Sequence, residues 1–262
     1  MKIFISADIE GVAGCTTWDE TEMDKSAYPA FAKQMTLEVA AACNGANDAG
    51  AEEIVIKDAH NSGRNLDHSM LPRNTKLVRS WAGGLYSMVQ ELDSSYSALL
   101  YIGYHSAAGT DTNPLAHTMN TYLDKVLING KLASEFLIHS YIAAYHNVPV
   151  AFLSGDKGLC EEVKGLNQNI RTVAVKEGRG NSTINIHPEL AVDMIRVGVR
   201  EILSGDLTVC KIDLPEEFEV SIRYKNHKDA YSKSYYPGVE KLDENTIRSE
   251  ERRVGKECRY RW

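Results

Sequence analysis

The chain has 262 residues, of which 43% are hydrophobic and 25% are charged, so it is long enough to bury a sizeable core. Its formal net charge of −7 argues against nucleic acid or an anionic membrane as a partner, because binding phosphate groups needs a basic surface. No apolar run has the length of a membrane span, and the N-terminus lacks the layout of a signal peptide.

Short apolar runs alternate with helical patterns along the chain. In chain order we predict a strand at 2–7, a helix at 26–47, strands at 53–57, 76–79 and 98–103, a hairpin of 126–128 and 131–132 around Asn129-Gly130, a helix at 134–145, a strand at 149–153, a helix at 161–166, a strand at 172–175, a helix at 188–203 and a strand at 217–223. The continuous apolar strands predict an α/β fold, with a mainly parallel sheet covered by helices on both faces.

The five cysteines are scattered along the chain and form no CxxC pair. An odd number of dispersed cysteines is typical of reduced thiols and not of a disulfide framework. We therefore expect the protein to be cytoplasmic.

Residues 248–262 differ in character from the rest of the chain. They are polar and basic, with neither helical nor strand periodicity, and they resemble the translation of a common sequencing adapter. We predict that they are a non-native tail and leave them out of fold reasoning. A disordered basic tail is the alternative.

Carboxylate and imidazole side chains follow three of the predicted strands. Asp8 and Glu10 come after the first strand, Asp58 and His60 after the second, and His105 after the fourth. Ligands of open parallel sheets bind beyond the carboxyl ends of the strands, so we expect these side chains at one edge of the sheet. Asp8 and Glu10 share a face in extended backbone, where they repel each other unless a proton or cation intervenes. Carboxylates with imidazoles suit zinc, with manganese or iron as competitors.

Each of these residues also has a structural interpretation. A carboxylate after a strand, such as Asp8, commonly caps a helix or forms a turn. A single histidine such as His60 or His105 is commonly just hydrogen-bonded. Their coincidence at strand ends favours a metal site, but spacing alone does not decide between the two interpretations.

Two further residues are candidates for the same site. His117 follows a loop at 109–114 that is long enough to fold over a cleft. Glu135 begins the predicted helix after the hairpin, where its alternative role is a favourable charge in the first helical turn. His139 lies one turn later on the same helix face, which makes it a candidate for a supporting partner.

The run Ser6-Ala7-Asp8-Ile9-Glu10-Gly11 resembles the Ser-x-Asp-x-Glu-Gly signature of the dinuclear zinc D-aminopeptidase family. The other blocks of that family are matched in order by Asp58-Ala59-His60-Asn61-Ser62, Gly103-Tyr104-His105, His117-Thr118-Met119 and Ile128-Asn129-Gly130 with Glu135. The similarity covers residues 1–225, and the chain matches weakly beyond residue 224.

The resemblance implies two Zn²⁺ ions per chain. Asp8 would bridge both ions, and the other protein ligands would be Glu10, His60, His105 and Glu135. His117 would be the catalytic residue, acting as a general base or by stabilising the transition state. The implied activity is hydrolysis of the N-terminal residue of short peptides that contain D-amino acids, through a metal-bridging hydroxide.

The family also implies a Rossmann-like sheet domain with a smaller α/β part, and a homo-oligomer that forms a decameric ring. We accordingly predict a metal-binding catalytic domain over residues 1–210, the start of a smaller and truncated part over 211–247, and the tail over 248–262.

Two alternative functions stay open. One is another metal-dependent amidase or an L-aminopeptidase on the same scaffold, and the other is a non-catalytic metal-binding homologue. A metallophosphatase is disfavoured, because only the short Asp58-Ala59-His60 match to its Asp-x-His block is present and its Gly-Asn-His-Glu block is not.

Overall fold

The computed structural model describes residues 1–252. Within them, seven strands form the main sheet. Across the sheet they are ordered β3 (Thr75–Val78), β2 (Glu53–Asp58), β1 (Lys2–Ala7), β4 (Ala98–Tyr104), β7 (Val150–Asp156), β8 (Arg171–Arg179) and β9 (Ser182–Asn185). Neighbouring strands pair in parallel, apart from the antiparallel pair of β8 and β9. The predicted mainly parallel sheet is therefore confirmed.

Helices cover both faces of this sheet. They are α1 (Tyr28–Asp48), α2 (Glu135–Tyr145), α3 (Lys157–Leu166) and α4 (Pro188–Leu203). The core beneath α1 and α4 takes Ile3 and Ile5 from β1, whereas the core beneath α2 and α3 takes Phe4. Because both faces of the sheet are buried, its strands are continuously apolar instead of alternating. In the described part of the chain, no helix is long and apolar enough to cross a membrane.

A second sheet of five antiparallel strands packs against the core beneath α2 and α3. Its strands, in order, are β11 (Val239–Lys241), β12 (Thr246–Arg252), β10 (Glu217–Tyr224), β5 (Leu123–Ile128) and β6 (Lys131–Leu132). A short helix, α5 (His227–Lys233), contacts it. Asn129 and Gly130, both with positive φ, form the two-residue turn between β5 and β6, so the predicted hairpin is confirmed.

The second sheet draws its strands from two separate stretches of the chain. Its strands β5 and β6 lie inside the range 1–210, so the two parts of the molecule are interleaved in sequence. Residues 248–252 form the end of β12 and pair with β10, although they lack strand periodicity. The reason is that the strand is specified by its backbone partner and not by a local apolar pattern. Residues 253–262 lie outside the described residues, and a non-native tail stays a prediction.

The strand order reverses between β1 and β4. From β1 the chain moves outward through β2 to β3, and from β4 it moves the other way through β7 to β8. Asp8 directly follows β1 and His105 directly follows β4. The switch point, where open α/β sheets bind ligands, therefore lies between these two residues.

Glycines allow the two strand ends to touch at this switch point. The Gly11 N–H donates to the Gly103 carbonyl over 2.8 Å. A Cβ atom on Gly11 would lie 1.8 Å from the Tyr104 carbonyl oxygen. Gly103 has a φ of +72°, and a Cβ atom there would lie 2.2 Å from the Asp8 carbonyl oxygen. Only residues without a side chain permit the Asp8 backbone to come this close to β4.

We expect Gly103→Ala to lower the free energy of unfolding by at least about 2 kcal/mol, because it adds a backbone clash to an unfavourable positive φ. Urea unfolding measures the loss. Gly84→Ala is the matched control, because a Cβ atom there meets no neighbour within 4 Å, and it should change stability by less than about 0.5 kcal/mol. Equal stability of the two variants would contradict the close contact between β1 and β4.

Candidate metal centre

The five predicted metal ligands lie together at the switch point. The His60 Nδ1 atom is 3.3 Å from Asp8 Oδ1 and 3.1 Å from Glu10 Oε1. The His105 Nε2 atom is 3.5 Å from Asp8 Oδ2 and 3.5 Å from Glu135 Oε2. All five side chains are buried. Loops after β1, β2 and β4 and the first turn of α2 thus bring three carboxylates and two imidazoles into one cluster.

His117 lies beside this cluster at its more open side. Its ring stacks on the His105 ring with centroids 4.2 Å apart, and it packs edge-to-face with the Trp18 ring with centroids 5.3 Å apart. The His117 Nε2 atom is 3.5 Å from Glu135 Oε1. Its side chain remains 14% exposed, so His117 stands between the buried carboxylates and solvent.

Each of the three imidazoles is oriented by a backbone carbonyl. The pairs are His60 Nε2 with Thr21 O at 2.9 Å, His105 Nδ1 with Ser106 O at 3.0 Å, and His117 Nδ1 with Leu115 O at 2.9 Å. A carbonyl oxygen only accepts, so the nitrogen beside it carries the hydrogen. The other ring nitrogen, which is the one facing the carboxylates, is thereby left as a lone-pair donor when the ring is neutral.

The donor atoms fall into two overlapping sets. The ligand atoms of Asp8, Glu10 and His105 lie within 4.8 Å of one another, and so do those of His105, His117 and Glu135. Within the described residues, Glu10 Oε2 and His105 Nε2 are buried and have no hydrogen-bond partner. Such atoms are rare and cost about 1–3 kcal/mol each. A cation at this point would satisfy both, and the carboxylate and imidazole donors fit zinc.

The electrostatics of the cluster favour positive charge. Burial by itself would lower the pKa of His105, but the charge of Glu135, contact with its carboxylate and the charges of Glu10 and Asp8 together raise that pKa to about 10. Burial by itself would raise the pKa of Glu135, but the charge of His105, contact with its ring and the charge of His117 together lower that pKa to about 2. In the same way, His60 and Glu10 shift each other, so the pKa of His60 lies well above and that of Glu10 well below its ordinary value.

Asp8 and His117 shift in the opposite sense. Burial, with the nearby charge of Glu10, raises the pKa of the Asp8 carboxyl well above its ordinary value. Burial and the positive charge of His105 lower the pKa of His117. His117 is therefore a neutral imidazole at pH 7, and its free lone pair is on Nε2.

The remaining candidates from the sequence have structural roles. The Asp58 carboxylate accepts hydrogen bonds from the Asn65 N–H at 2.5 Å, the Asn65 side chain at 2.7 Å and the Leu66 N–H at 2.9 Å, so it closes the loop that carries His60. His139 donates through Nδ1 to the Glu135 carbonyl at 2.6 Å. It therefore supports the backbone of the helix turn and contributes no atom to the cluster.

Asp156, at the end of β7, is a site residue that sequence reasoning missed. Its carboxylate accepts from the Ser106 N–H at 2.7 Å and the Asn113 side chain at 3.0 Å, and it also caps α3 through the Leu159 N–H at 2.9 Å. It thus anchors the loop that runs from His105 to His117. The available signal was an Asp before a helical pattern, but the predicted strand at 149–153 ended too early to place it at the sheet edge.

Comparisons with known proteins place the chain in a family. The D-aminopeptidase family model (Peptidase_M55) matches residues 1–260. The chain belongs to the D-aminopeptidase family of peptidases. This confirms the resemblance that was inferred from the motifs, and the match extends beyond residue 225.

The chain is similar to a curated D-aminopeptidase and to a solved D-aminopeptidase structure over most of their length. A D-aminopeptidase of Bacillus subtilis (strain 168) is 28% identical over 245 residues, which cover 92% of this chain and 87% of that protein. The solved structure of the Zn-dependent D-aminopeptidase DppA from Bacillus subtilis, described as a self-compartmentalizing protease, has a TM-score of 0.90 and 25% identity. That match covers 96% of this chain and 92% of the other.

We expect zinc binding to release protons. At pH 7 the carboxylates keep His60 and His105 protonated, the latter with a pKa of about 10, and these protons must leave before nitrogen can ligate a metal. Zinc affinity should therefore rise as the pH increases from about 7 towards 10. Titration calorimetry in buffers of different ionisation enthalpy measures the proton count. A count of zero at pH 7 would contradict ligation by these two histidines.

Proposed function

We propose that this chain is a zinc-dependent aminopeptidase that removes the N-terminal residue of short peptides containing D-amino acids. The observation that carries the proposal is the pair of overlapping donor sets, joined by His105, at the switch point of the sheet. Membership of the D-aminopeptidase family and the similarity to a Zn-dependent relative support it.

We assign two zinc ions per chain to this centre, with Asp8 as the bridging ligand. The orientation of the Asp8 carboxylate supports a bridge, because Oδ1 faces His60 and Oδ2 faces His105. Glu10, His60, His105 and Glu135 are the other proposed ligands. Bound zinc would lower the pKa of water to provide a nucleophile at neutral pH and would polarise the scissile carbonyl.

His117 is the proposed proton carrier. Its Nδ1–H is held by the Leu115 carbonyl, and its low pKa leaves Nε2 unprotonated at neutral pH. Nε2 can therefore accept the proton of the attacking water and pass it to the leaving amine. The contacts with His105 and Trp18 hold the ring in this orientation, at the side of the cluster from which a substrate can approach.

We further propose that the protein is a cytoplasmic homo-oligomer. The relative with the known structure is a self-compartmentalizing protease, which supports an assembly here. Four of the cysteines are buried free thiols, which supports a reducing compartment. A decameric ring remains the expectation from the family resemblance.

Hydrolysis of D-Ala-D-Ala and L-Ala-L-Ala, measured together with metal content, tests the function. We expect two zinc ions per chain and a kcat/KM at least about tenfold higher for the D,D-dipeptide, since the binding pocket must distinguish the two configurations. Equal rates for the two peptides would indicate a different aminopeptidase. Two bound metals without hydrolysis would indicate a non-catalytic homologue.

His117→Ala separates a proton carrier from a metal ligand. We expect kcat to fall by about two to four orders of magnitude while both metals remain bound. His227→Ala, at an exposed histidine that begins α5, is the matched control and should behave like the wild type. Loss of a metal ion from His117→Ala would instead make His117 a ligand, and an unchanged kcat would remove it from catalysis.

A further inference from the structure

A buried lysine on β8 holds the loop that carries Asp8 and Glu10. The Lys176 ammonium group donates to the carbonyl oxygens of Glu10 and Cys15, the latter over 2.6 Å. The side chain is buried. Both bonds end on backbone oxygens, so Lys176 acts on the path of the chain and not as an ion-pair partner of the ligand carboxylates.

The loop of residues 8–15 has no regular secondary structure, yet it is almost entirely buried. Its backbone groups therefore need partners from other elements. The Ala13 N–H donates to Glu38 Oε1 at 2.9 Å, and the Gly14 N–H donates to Asn185 Oδ1 at 3.0 Å. Lys176 donates hydrogen bonds to carbonyl groups of the same loop. The N–H groups of the loop are thus bound by Glu38 and Asn185, whereas its carbonyl groups are bound by Lys176.

The Glu10 carbonyl has a second donor, which connects it to the other side of the metal centre. The Asn113 side chain donates to this oxygen at 3.2 Å and also to Asp156 at 3.0 Å. Asp156 in turn accepts from the N–H of Ser106, the residue after His105. One carbonyl group therefore joins the loop after β1 to the loop after β4.

A buried ammonium group that hydrogen-bonds two carbonyl groups carries a large free-energy cost of desolvation. Removing the charged group from water is unfavourable, and burial accordingly lowers the pKa of Lys176. The position of the Glu10 backbone matters, however, because Glu10 Oε2 is one of the buried atoms without a hydrogen-bond partner in the centre. A shift of this backbone would change the spacing between the ligand atoms of Glu10 and His105.

We propose that Lys176 is a positioning residue of the metal centre, which fixes the 8–15 loop so that the donor atoms of Asp8, Glu10 and His105 are spaced for a metal ion. The inference rests on the proposed function only in taking zinc as the ligand of the centre. It does not depend on which peptide is hydrolysed.

Lys176→Met tests the proposal, because it retains the length of the side chain and removes the donor. We expect the Kd for zinc, measured by competition with a chromophoric chelator, to rise about 10- to 100-fold, as for other residues that orient metal ligands. We also expect the d–d absorption spectrum of the Co²⁺-loaded protein to change, because the ligand geometry is altered. A merely structural role would move neither measurement.

Lys2→Met is the control. Lys2 begins β1, at the opposite end of the strand from Asp8, and its ammonium group donates to Ser95 Oγ at 2.9 Å. Neither residue touches a proposed ligand or the 8–15 loop. This variant should retain the zinc affinity and cobalt spectrum of the wild type.

Wild-type zinc affinity in Lys176→Met would overturn the proposal, and so would an equal loss of affinity in Lys2→Met. If Lys176→Met does not fold, Lys176→Gln replaces it. Its shorter side chain keeps an N–H donor, so an intermediate Kd is expected, and an unchanged Kd and spectrum would overturn the proposal. Because no substrate is used, these outcomes are distinct from failure of the proposed function, which would appear as a wild-type protein that binds no zinc.

Discussion

Three carboxylates buried side by side are the constraint on which the rest of this structure depends. Asp8, Glu10 and Glu135 are removed from water and lie within reach of the same imidazoles. Their mutual repulsion in a medium of low dielectric is tolerable only when positive charge lies among them. The raised pKa values of His60 and His105 show that the cluster stabilises positive charge. A pair of divalent cations would offset the repulsion between the carboxylates more completely.

The fold supplies the rigidity that such a cluster requires. Two glycines let the ends of β1 and β4 meet by direct backbone hydrogen bonds, so the donor atoms from these two loops have little freedom to separate. The histidines are oriented by backbone carbonyls and not by additional carboxylates. This arrangement sets the ring orientation without adding further negative charge to the site.

Much of the centre could be predicted from local sequence, because each ligand directly follows a strand or begins a helix. Asp8, Glu10, His60 and His105 were recognisable by this placement, and the structure brings them together with Glu135. The family motifs, and not spacing, suggested how the roles are divided among them. Asp58 has the same placement as the ligands but closes a loop, so position after a strand does not by itself distinguish a ligand from a structural residue.

The sequence by itself determined the parallel sheet, the hairpin at Asn129-Gly130 and the residues available for a metal site, because apolar periodicity, turn chemistry and strand ends are local features. Only the tertiary structure decided the second sheet, in which β5 and β6 join strands some ninety residues later in the chain. It alone also decided the role of Lys176, which contacts Glu10 across a sequence separation of 166 residues. Contacts of this kind depend on how the strands are ordered in space, and no local pattern in the chain encodes that order.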